Sequence, residues 1–533
     1  MLPAQGPRVA TVALRVALAA LALTWLLKLA SIWSWRMGHD TPLLHYAAFL
    51  IDRHGFVPYR DLFETSMPGT FAVHVLLGHA LGFGDTAFRL VDVTVLCATM
   101  AMCAAFMRRF GVLSACVSAL VFGHLYLAKG PAISLQRDYI GVLPVACALW
   151  LLPVQAQVVP RHGRFGILGV LFGCAMLIKP HLAIAWPVLL WALLALRRQA
   201  GHQGWQDALR CMAASVAGLL LPWLMAWSWL SAHGAWAPFT DMVTRYLPLH
   251  SAMTGMQETI SGTARWLYVL RRGLGMGGHH PLVALALVSL GMSLLPWHRR
   301  TALTPRGVTT RVLLGCVIAY TVYPMLAGKF WDYHYMPLVY FCALAIGLLF
   351  RAPDAAPTET SSPAAAQPHL LAGLALAAML YLQVPWALYV GTVLTDLRGT
   401  TPPSVKDERI DEMSTWLRNH LRPGDTVQPL DWTGGTHYAM LRAQVRLATR
   451  FMYDYHFYHH VSSPYIQGLR RTFMAELSAA APRFVIEVPR DKPWVSGADT
   501  SREFSELHAL LKADYTVVQE AQDYRIHERL PGH

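Results

Sequence analysis

Asp40 stands a few residues after the first long apolar segment of the chain, in the sequence Gly38-His39-Asp40-Thr41-Pro42. A carboxylate at the outer mouth of a membrane span is costly to bury, so it usually pairs with a cation, contacts water or takes part in chemistry. Asp40 is therefore the first candidate for a functional residue. The alternative interpretation is a plain charge at the end of a span, where a charge costs little.

Other ionisable side chains stand near the ends of later apolar segments. A carboxylate can accept the proton of an attacking hydroxyl group, whereas lysine and arginine can hold a phosphate and stabilise its charge as it leaves. A transferase needs both kinds of charge. The candidates are Asp61, Glu64, Lys129, Arg137, Asp138, Lys179, Lys329, Asp332 and His334.

Each of these candidates also has a structural interpretation. Asp61 and Glu64 fit the polar face of a surface helix, and Arg137 with Asp138 fits a structural ion pair. Lys179 fits a side chain that reaches from a span end to the interface. Lys329, within a cluster of Trp, Tyr and His, fits an anchor in an aromatic belt.

The composition of the chain bounds its class. Of its 533 residues, 55% are hydrophobic and 14% are charged, which predicts a polytopic membrane protein. The net charge of +13 is concentrated between the apolar segments, as in cytoplasmic loops, and this pattern argues against nucleic-acid binding. All eight cysteines fall within apolar stretches, so neither a disulfide framework nor a zinc site is expected.

A membrane span needs about 20 mostly apolar residues, and the sequence predicts about eleven spans, the first of them an uncleaved segment. Four basic clusters, at 108–109, 161–164, 197–210 and 299–311, fall on one side that is taken as cytoplasmic. The shorter apolar stretch 68–83 is then predicted to lie along the outer surface. The predicted spans are 9–35, 88–107, 112–128, 138–156, 165–179, 181–197, 208–232, 281–298, 308–328, 334–350 and 369–393.

The fold class predicted from these segments is mainly α, a polytopic membrane protein with a small C-terminal α/β domain. A membrane module over 1–398 has outer loops at 36–87 and 233–280 and a cytoplasmic linker at 352–368. The domain at 399–533 is predicted outside the membrane. Its expected elements are helices at 410–421 and 464–480, strands at 426–432 and 483–489, and a hairpin of 515–520 with 524–528.

The predicted sidedness restricts the chemistry. Nucleotide sugars are made in the cytoplasm and do not cross a bilayer unaided. A glycosyl transfer on the outer side must therefore use a sugar that is already carried across the membrane, and a polyprenyl phosphate does this. Its lipid tail needs a groove between spans, and its head group needs cations at the membrane edge.

The order of these residues resembles the GT-C superfamily, and within it the protein O-mannosyltransferases, the aminoarabinose transferases and the galacturonosyltransferases of lipopolysaccharide core. Those enzymes have an acid just past span one, surface helices with a Pro-Gly step, an Arg-Asp-like motif after span three, a mid-chain Lys and a late Lys-x-x-x-Tyr-x-Tyr-x-Pro element. The resemblance covers roughly 1–350. The matching residues are Asp40, Glu64, Pro68, Gly69, Arg137, Asp138, Lys179, Lys329, Tyr333, Tyr335 and Pro337.

The resemblance implies an inverting, polyprenyl-phosphate-dependent glycosyltransferase of a Gram-negative inner membrane, with the C-terminal domain in the periplasm. Asp40 would be the base, and Lys329, with Lys179 or Arg137, would bind the leaving phosphate. Glu64 and Asp138 would orient the sugar or the cations, and Tyr333, His334 and Tyr335 would complete the substrate-binding set.

The chain departs from relatives that carry two consecutive acids in the first loop, because Thr41 follows Asp40. The 129–138 loop also lacks the Asp-x-Asp or Asp-x-Glu of metal-dependent relatives. No cofactor or essential metal is therefore expected, although Asp40 and Asp138 remain a candidate shared metal site.

Two other function classes remain open from the sequence. One is a transporter or flippase of a lipid-linked saccharide, and the other is a non-catalytic assembly protein. Transporters usually show internal repeats and midplane polar residues on broken helices, whereas the charges here gather on one face. The expected partners are a lipid-linked sugar donor, a glycan, lipid or protein acceptor, and the bilayer. The sugar, the acceptor and the oligomeric state are left open.

Overall fold

The structure is a computed structural model that describes residues 6–155, 157–202, 204–295, 304–352, 367–489, 492, 494–521 and 523–531. Most of the predicted linker, 353–366, lies outside these residues. The described chain is mainly helical and ends in a mixed sheet. This confirms the predicted fold class.

Nineteen of the described helices precede Thr400, and short 3₁₀ turns join several of them. They are α1 (Gly6–Ser31), α2 (Thr41–His54), α3 (Pro68–Leu81), α4 (Asp85–Met107), α5 (Val112–Ala128), α6 (Arg137–Ile140), α7 (Val142–Leu149), α8 (His162–Ile178), α9 (Trp186–Gln199), α10 (Trp205–Ala232), α11 (Trp236–Asp241), α12 (Leu247–Ala252), α13 (Gly262–Leu274), α14 (His280–Leu294), α15 (Pro305–Ala327), α16 (Met336–Gly347), α17 (Gln367–Gln383), α18 (Trp386–Gly391) and α19 (Val393–Arg398).

The count of eleven spans is not confirmed. Six described helices are long and apolar enough to cross a membrane, or up to eight if each of two bent helix pairs counts as one span. Over the predicted span 138–156, the helices α6 and α7 run from Arg137 to Leu149 and meet at Gly141, and a crossing by this segment stays a prediction. The predicted surface helix is present as α3, and its placement along the membrane stays a prediction.

Close packing of α8 on α10 places the segment that leads to Lys179. A Cβ added at Gly169 would lie 1.9 Å from the Ser215 carbonyl oxygen, and one at Gly173 would lie 2.5 Å from the Leu219 carbonyl oxygen. Only glycine permits this approach, as in other closely packed membrane helices. The end of α8 that leads to Lys179 is therefore fixed beside α10.

The C-terminal segment after Thr400 forms a five-stranded mixed sheet with helices on its connections. The strand order is β3-β2-β4-β7-β6, with β2 parallel to both neighbours and β7 antiparallel to both of its own. A short parallel pair, β1 with β5, joins this segment to the 233–280 loop. The elements are β1 (Glu258–Thr259), α20 (Val405–His420), β2 (Thr426–Leu430), α21 (Thr436–Ala443), β3 (Arg446–Leu447), α22 (Pro464–Ala480), β4 (Phe484–Glu487), β5 (Ser496–Gly497), α23 (Ser505–Asp514), β6 (Tyr515–Glu520) and β7 (Arg525–Arg529).

The 36–87 segment and the C-terminal segment share one hydrophobic core. The Phe63 amide donates to the Arg450 carbonyl at 2.8 Å, and the Tyr46 hydroxyl donates to the Val445 carbonyl at 2.9 Å. Arg36 makes a bidentate ion pair with Asp411, at 3.0 and 2.8 Å. The C-terminal segment thus packs directly over the loop that carries Asp40.

Candidate functional site

Asp40 lies on a tight connection between α1 and α2. Pro42 near the first turn of α2 favours a helix start, since its missing N–H would have no helical partner there. Arg89 of α4 donates to the backbone carbonyls of Trp35 and Arg36 at 3.1 and 3.3 Å. These bonds fix the segment that precedes Asp40.

The two carboxylate oxygens of Asp40 have different partners. Oδ2 accepts from Arg137 Nη2 at 3.1 Å and from the Tyr333 hydroxyl at 3.3 Å. Oδ1 lies 2.9 Å from Nδ1 of His39. The Asp40 side chain is only 12% exposed, so these contacts are its main environment.

Arg137 joins Asp40 to Glu64 through a serine. Its Nη1 donates to Ser66 Oγ at 3.1 Å, and Ser66 Oγ donates to Glu64 Oε1 at 2.8 Å. The hydroxyl of Tyr453 donates to the other oxygen of Glu64 at 2.6 Å. The Arg137 Nε atom is buried and has no hydrogen-bond partner in the described structure, so one donor remains for another ligand.

A second ion pair lies next to the first. Lys179 Nζ donates to both oxygens of Asp138 at 2.8 and 2.9 Å, and the Tyr323 hydroxyl donates to Asp138 Oδ1 at 2.5 Å. The Lys179 ammonium also lies 5.8 Å from the ring centroid of Tyr333, which is within cation–π range. Tyr333 therefore touches both ion pairs.

These contacts join seven residues into one group, the Asp40 cluster. It contains three carboxylates and two cations, all drawn from loops and helix ends rather than helix centres. The members are Asp40, Glu64, Ser66, Arg137, Asp138, Lys179 and Tyr333.

Three bulky residues next to the cluster have left-handed backbone conformations. The φ angles are +53° at His39, +49° at Leu135 and +56° at Phe330. Non-glycine residues in this region cost about 1–3 kcal/mol each and persist where the surrounding structure imposes them, often at functional sites. Each precedes a cluster residue or candidate by one to three positions, and fixes the direction of the chain there.

The charges of the cluster set its protonation. Burial by itself would raise the pKa of Asp40, but His39, Arg137 and Tyr333 outweigh it and hold that pKa well below its usual range. Asp40 conversely raises the pKa of His39. Burial lowers the pKa of Lys179 to about 8, although Asp138 acts in the opposite direction. At neutral pH Asp40 is therefore ionised.

The residues of the late Lys-x-x-x-Tyr-x-Tyr-x-Pro element, at 329–337, lie in two different environments. Tyr333 is in the Asp40 cluster, whereas Lys329 donates to the Thr254 carbonyl at 3.2 Å and to Gln257 Oε1 at 2.9 Å. His334 is buried with its ring 4.8 Å from that of Tyr333. The Tyr335 ring faces His279 at 5.3 Å. In the described structure no hydrogen bond or ion pair joins Lys329 to Asp40, and its role as a phosphate ligand stays a prediction.

The remaining charged candidates pair outside the cluster. Asp61 forms an ion pair with the adjacent Arg60 at 2.8 Å, and Lys129 pairs with Asp332 at 3.3 Å. Asp40 and Asp138, the candidate shared metal site, each form an ion pair with a basic side chain. One group of three metal-ligand types occurs among the described residues, His162, Asp207 and Cys211, but Arg197 already contacts both Asp207 oxygens.

Sequence reasoning missed four side chains at the site, namely His39, Ser66, Tyr323 and Tyr453. His39 directly precedes Asp40 in the sequence, and an imidazole next to a carboxylate is a signal for an ion pair. Ser66 stands two residues after Glu64, which is the spacing of a local side-chain bond. No sequence signal placed Tyr323 or Tyr453, because they reach the site from a distant span and from the C-terminal segment.

No protein-family model matches this chain, and no curated protein matches its sequence. Crystal structures of ArnT from Cupriavidus metallidurans are similar to it. The structure bound to undecaprenyl phosphate has a TM-score of 0.59 and 12% identity, over 97% of this chain and 98% of that one. The apo structure has a TM-score of 0.57 and 12% identity, over 98% of each chain. The chain therefore shares the fold of these ArnT structures, in line with the fold that the sequence resemblance implies.

Proposed function

We propose that this chain is a membrane glycosyltransferase that moves a sugar from a polyprenyl-phosphate carrier to an acceptor at the periplasmic face of an inner membrane. The observation that carries the proposal is the pairing of Asp40 with Arg137 inside the GT-C fold. One group can accept a proton and the other can bind a phosphate. The similar structure of ArnT with undecaprenyl phosphate supports a lipid-phosphate ligand.

The proposed reaction exchanges two bonds at the anomeric carbon. The acceptor oxygen forms a bond to that carbon while the bond to the phosphate oxygen breaks, and its electron pair leaves with the polyprenyl phosphate. Asp40 takes the proton of the acceptor hydroxyl. Its low pKa makes it a weak base, so its contribution is orientation and charge as the proton leaves. Attack opposite the leaving phosphate inverts the configuration.

The cations of the cluster are proposed to hold the phosphate. Arg137 has an unpaired Nε donor. The Lys179 ammonium is held in place by its two hydrogen bonds to Asp138. A bound phosphate competes with Asp40 for Arg137, and this competition weakens the ion pair and leaves the Asp40 carboxylate freer to accept a proton. Donor binding would thus prepare the base. Glu64 holds Ser66 and Tyr453 in place beside Arg137.

An apolar groove next to the cluster fits the polyprenyl chain. It has a volume of about 510 Å³ and lies between α3, α8 and α10. Phe71, Val170 and Leu177 are among its lining residues. Leu177 precedes Lys179 by two positions, so a lipid in this groove would bring its phosphate to the cations of the cluster.

The test is transfer from a panel of radiolabelled polyprenyl-phosphate sugars to membrane glycan and protein fractions, with the full chain in nanodiscs. We expect transfer from one donor class in the wild type and loss of at least about 100-fold in Asp40→Asn. Glu520→Gln, at a surface ion pair with Arg525, is the control and should retain activity. Full activity in Asp40→Asn would exclude this base, and no transfer by the wild type from any donor would exclude the function.

A further inference from the structure

A separate cavity of about 850 Å³ lies beside His39, between the membrane module and the start of the C-terminal segment. Its walls are the end of α1 with the 34–39 segment, the end of α5, helices α18 and α19, and the first turn of α20. Four of its lining residues carry basic side chains, namely Lys28, Arg36, His39 and Lys406.

Three of these four basic residues are neutralised by neighbours. Lys28 lies 3.4 Å from Asp396 and donates to Thr392 Oγ1 at 2.8 Å. Arg36 is paired with Asp411, and His39 with Asp40. Lys406 differs from them. Across the residues that the structure describes, no hydrogen bond or ion pair holds its ammonium group, although the side chain is half-buried and lines the cavity.

The local fold holds Lys406 in this position. Ser404 and Asp407 form a reciprocal capping box at the start of α20, which fixes the first turn that carries Lys406. Burial lowers the pKa of Lys406, while Asp431 and Asp40 act against that shift. The field of Lys406 thus reaches Asp40, even though no bond joins the two residues.

The geometry around Asp40 separates two sides. Oδ2 faces Arg137 and Tyr333, where the proposed function places the donor phosphate. Oδ1 faces His39, and His39 lines the cavity. In an inverting transfer the acceptor approaches opposite the leaving group, so the cavity lies on the side that the acceptor needs.

We propose that this cavity binds the acceptor, and that Lys406 pairs with an acidic group, a phosphate or a carboxylate, of a membrane-borne acceptor. The inference rests on the proposed function, since it assigns the second substrate of that reaction. An unpaired ammonium in a partly enclosed cavity favours an anionic ligand. The position of the cavity at the end of α1 gives a substrate access from the membrane surface.

The test compares acceptor kinetics with donor binding in the full chain in nanodiscs. The probes are the acceptor fraction identified in the transfer assay and radiolabelled undecaprenyl phosphate. In Lys406→Ala and Lys406→Gln we expect the acceptor KM to rise at least about tenfold, with kcat and undecaprenyl phosphate binding within about twofold of wild type. Lys406→Arg should stay near wild type, and Lys512→Ala, at an exposed lysine of α23, is the matched control.

Salt gives a second readout. Added NaCl should raise the acceptor KM of the wild type more than that of Lys406→Ala, because screening acts on the ion pair that the variant lacks. Unchanged acceptor KM in folded Lys406→Ala and Lys406→Gln proteins would overturn the inference alone. Weaker undecaprenyl phosphate binding in these variants would also overturn it and move Lys406 to the donor. A wild type without any transfer would overturn the proposed function and this inference together.

Discussion

Tyr453 of the C-terminal segment donates a hydrogen bond of 2.6 Å to Glu64 of the 36–87 segment. Both side chains are buried, and 389 positions of sequence separate them. Through Ser66, the same carboxylate contacts Arg137 and then Asp40. The C-terminal segment therefore contributes a side chain that fixes the geometry of the site.

Replacing Tyr453 with Phe should reduce transfer by about tenfold, which corresponds to about 1.4 kcal/mol in the transition state. The change leaves one buried oxygen of Glu64 without its donor, and this allows the Ser66–Arg137 contact to shift. The measurement is kcat with the identified donor and acceptor. Tyr515→Phe, which loses a bond to the Pro482 carbonyl within the C-terminal segment, is the control. Equal kcat in both variants would contradict a role for Tyr453 in the site.

The Lys179–Asp138 pair should be sensitive to removal of either partner. The Asp138 side chain is fully buried, and Asp138→Asn leaves Lys179 without its counter-ion, at a cost of about 3–5 kcal/mol in unfolding free energy. Asp138→Asn with Lys179→Met removes both charges and should recover most of the stability but none of the activity. Thermal unfolding in detergent and the transfer assay measure these two properties.

An additive loss of stability in that double variant would show that the two residues act independently. The expected coupling is instead strongly non-additive, because each charge is buried mainly against the other. Recovered activity in the double variant would exclude both residues from substrate binding. Arg525→Gln with Glu520→Gln, at an exposed pair, is the control cycle and should show coupling below about 1 kcal/mol.

Much of the fold follows from the sequence, but only part of the site does. Apolar run length predicted most helices, and alternation predicted the hairpin that the structure has as β6 and β7. The count of eleven spans stays unconfirmed, because run length does not distinguish a full crossing from a short or bent helix.

The site was predicted as far as charge type and chain order allow. The recurrence of both signs of charge at predicted span ends indicates Asp40, Arg137, Asp138 and Lys179, and the structure brings these four together. Lys329 follows the same pattern, but it binds Thr254 and Gln257 instead. The sequence carries no information on this choice, because it depends on how the 233–280 loop folds back onto the 329–335 turn.

His39 should stabilise the fold in a pH-dependent way. Asp40 raises the pKa of His39 in the folded chain, so the stabilisation is fully present below the unfolded value of about 6.5 and is lost as pH rises through the folded pKa. The melting temperature of the wild type should exceed that of His39→Gln most at pH 6 and least at pH 9. Asp40 stays ionised throughout, because its own pKa is lowered.

The comparison of melting temperatures across pH needs a control variant at a histidine that does not contact a carboxylate. His420→Gln, at an exposed position of α20 whose Nδ1 contacts the Trp416 carbonyl, serves this purpose. Its melting temperature should differ from that of the wild type by a similar amount at each pH. A difference for His39→Gln that grows with rising pH would contradict the ion pair with Asp40.

Lys179 should determine the alkaline limb of the pH profile of activity. Burial lowers its pKa to about 8, so the ammonium loses its proton as pH rises through that value and no longer holds a phosphate. We expect kcat/KM for the donor to fall above about pH 8 in the wild type. In Lys179→Arg the limb should move to higher pH, because a guanidinium stays charged throughout this range, even if the plateau activity is lower. Asp40 raises the pKa of His39, so His39 also loses its proton at a higher pH than a free imidazole, and His39→Gln separates the two groups. If Lys179 governs the limb, its midpoint stays near pH 8 in His39→Gln, whereas a midpoint that moves in His39→Gln and not in Lys179→Arg would assign the limb to His39.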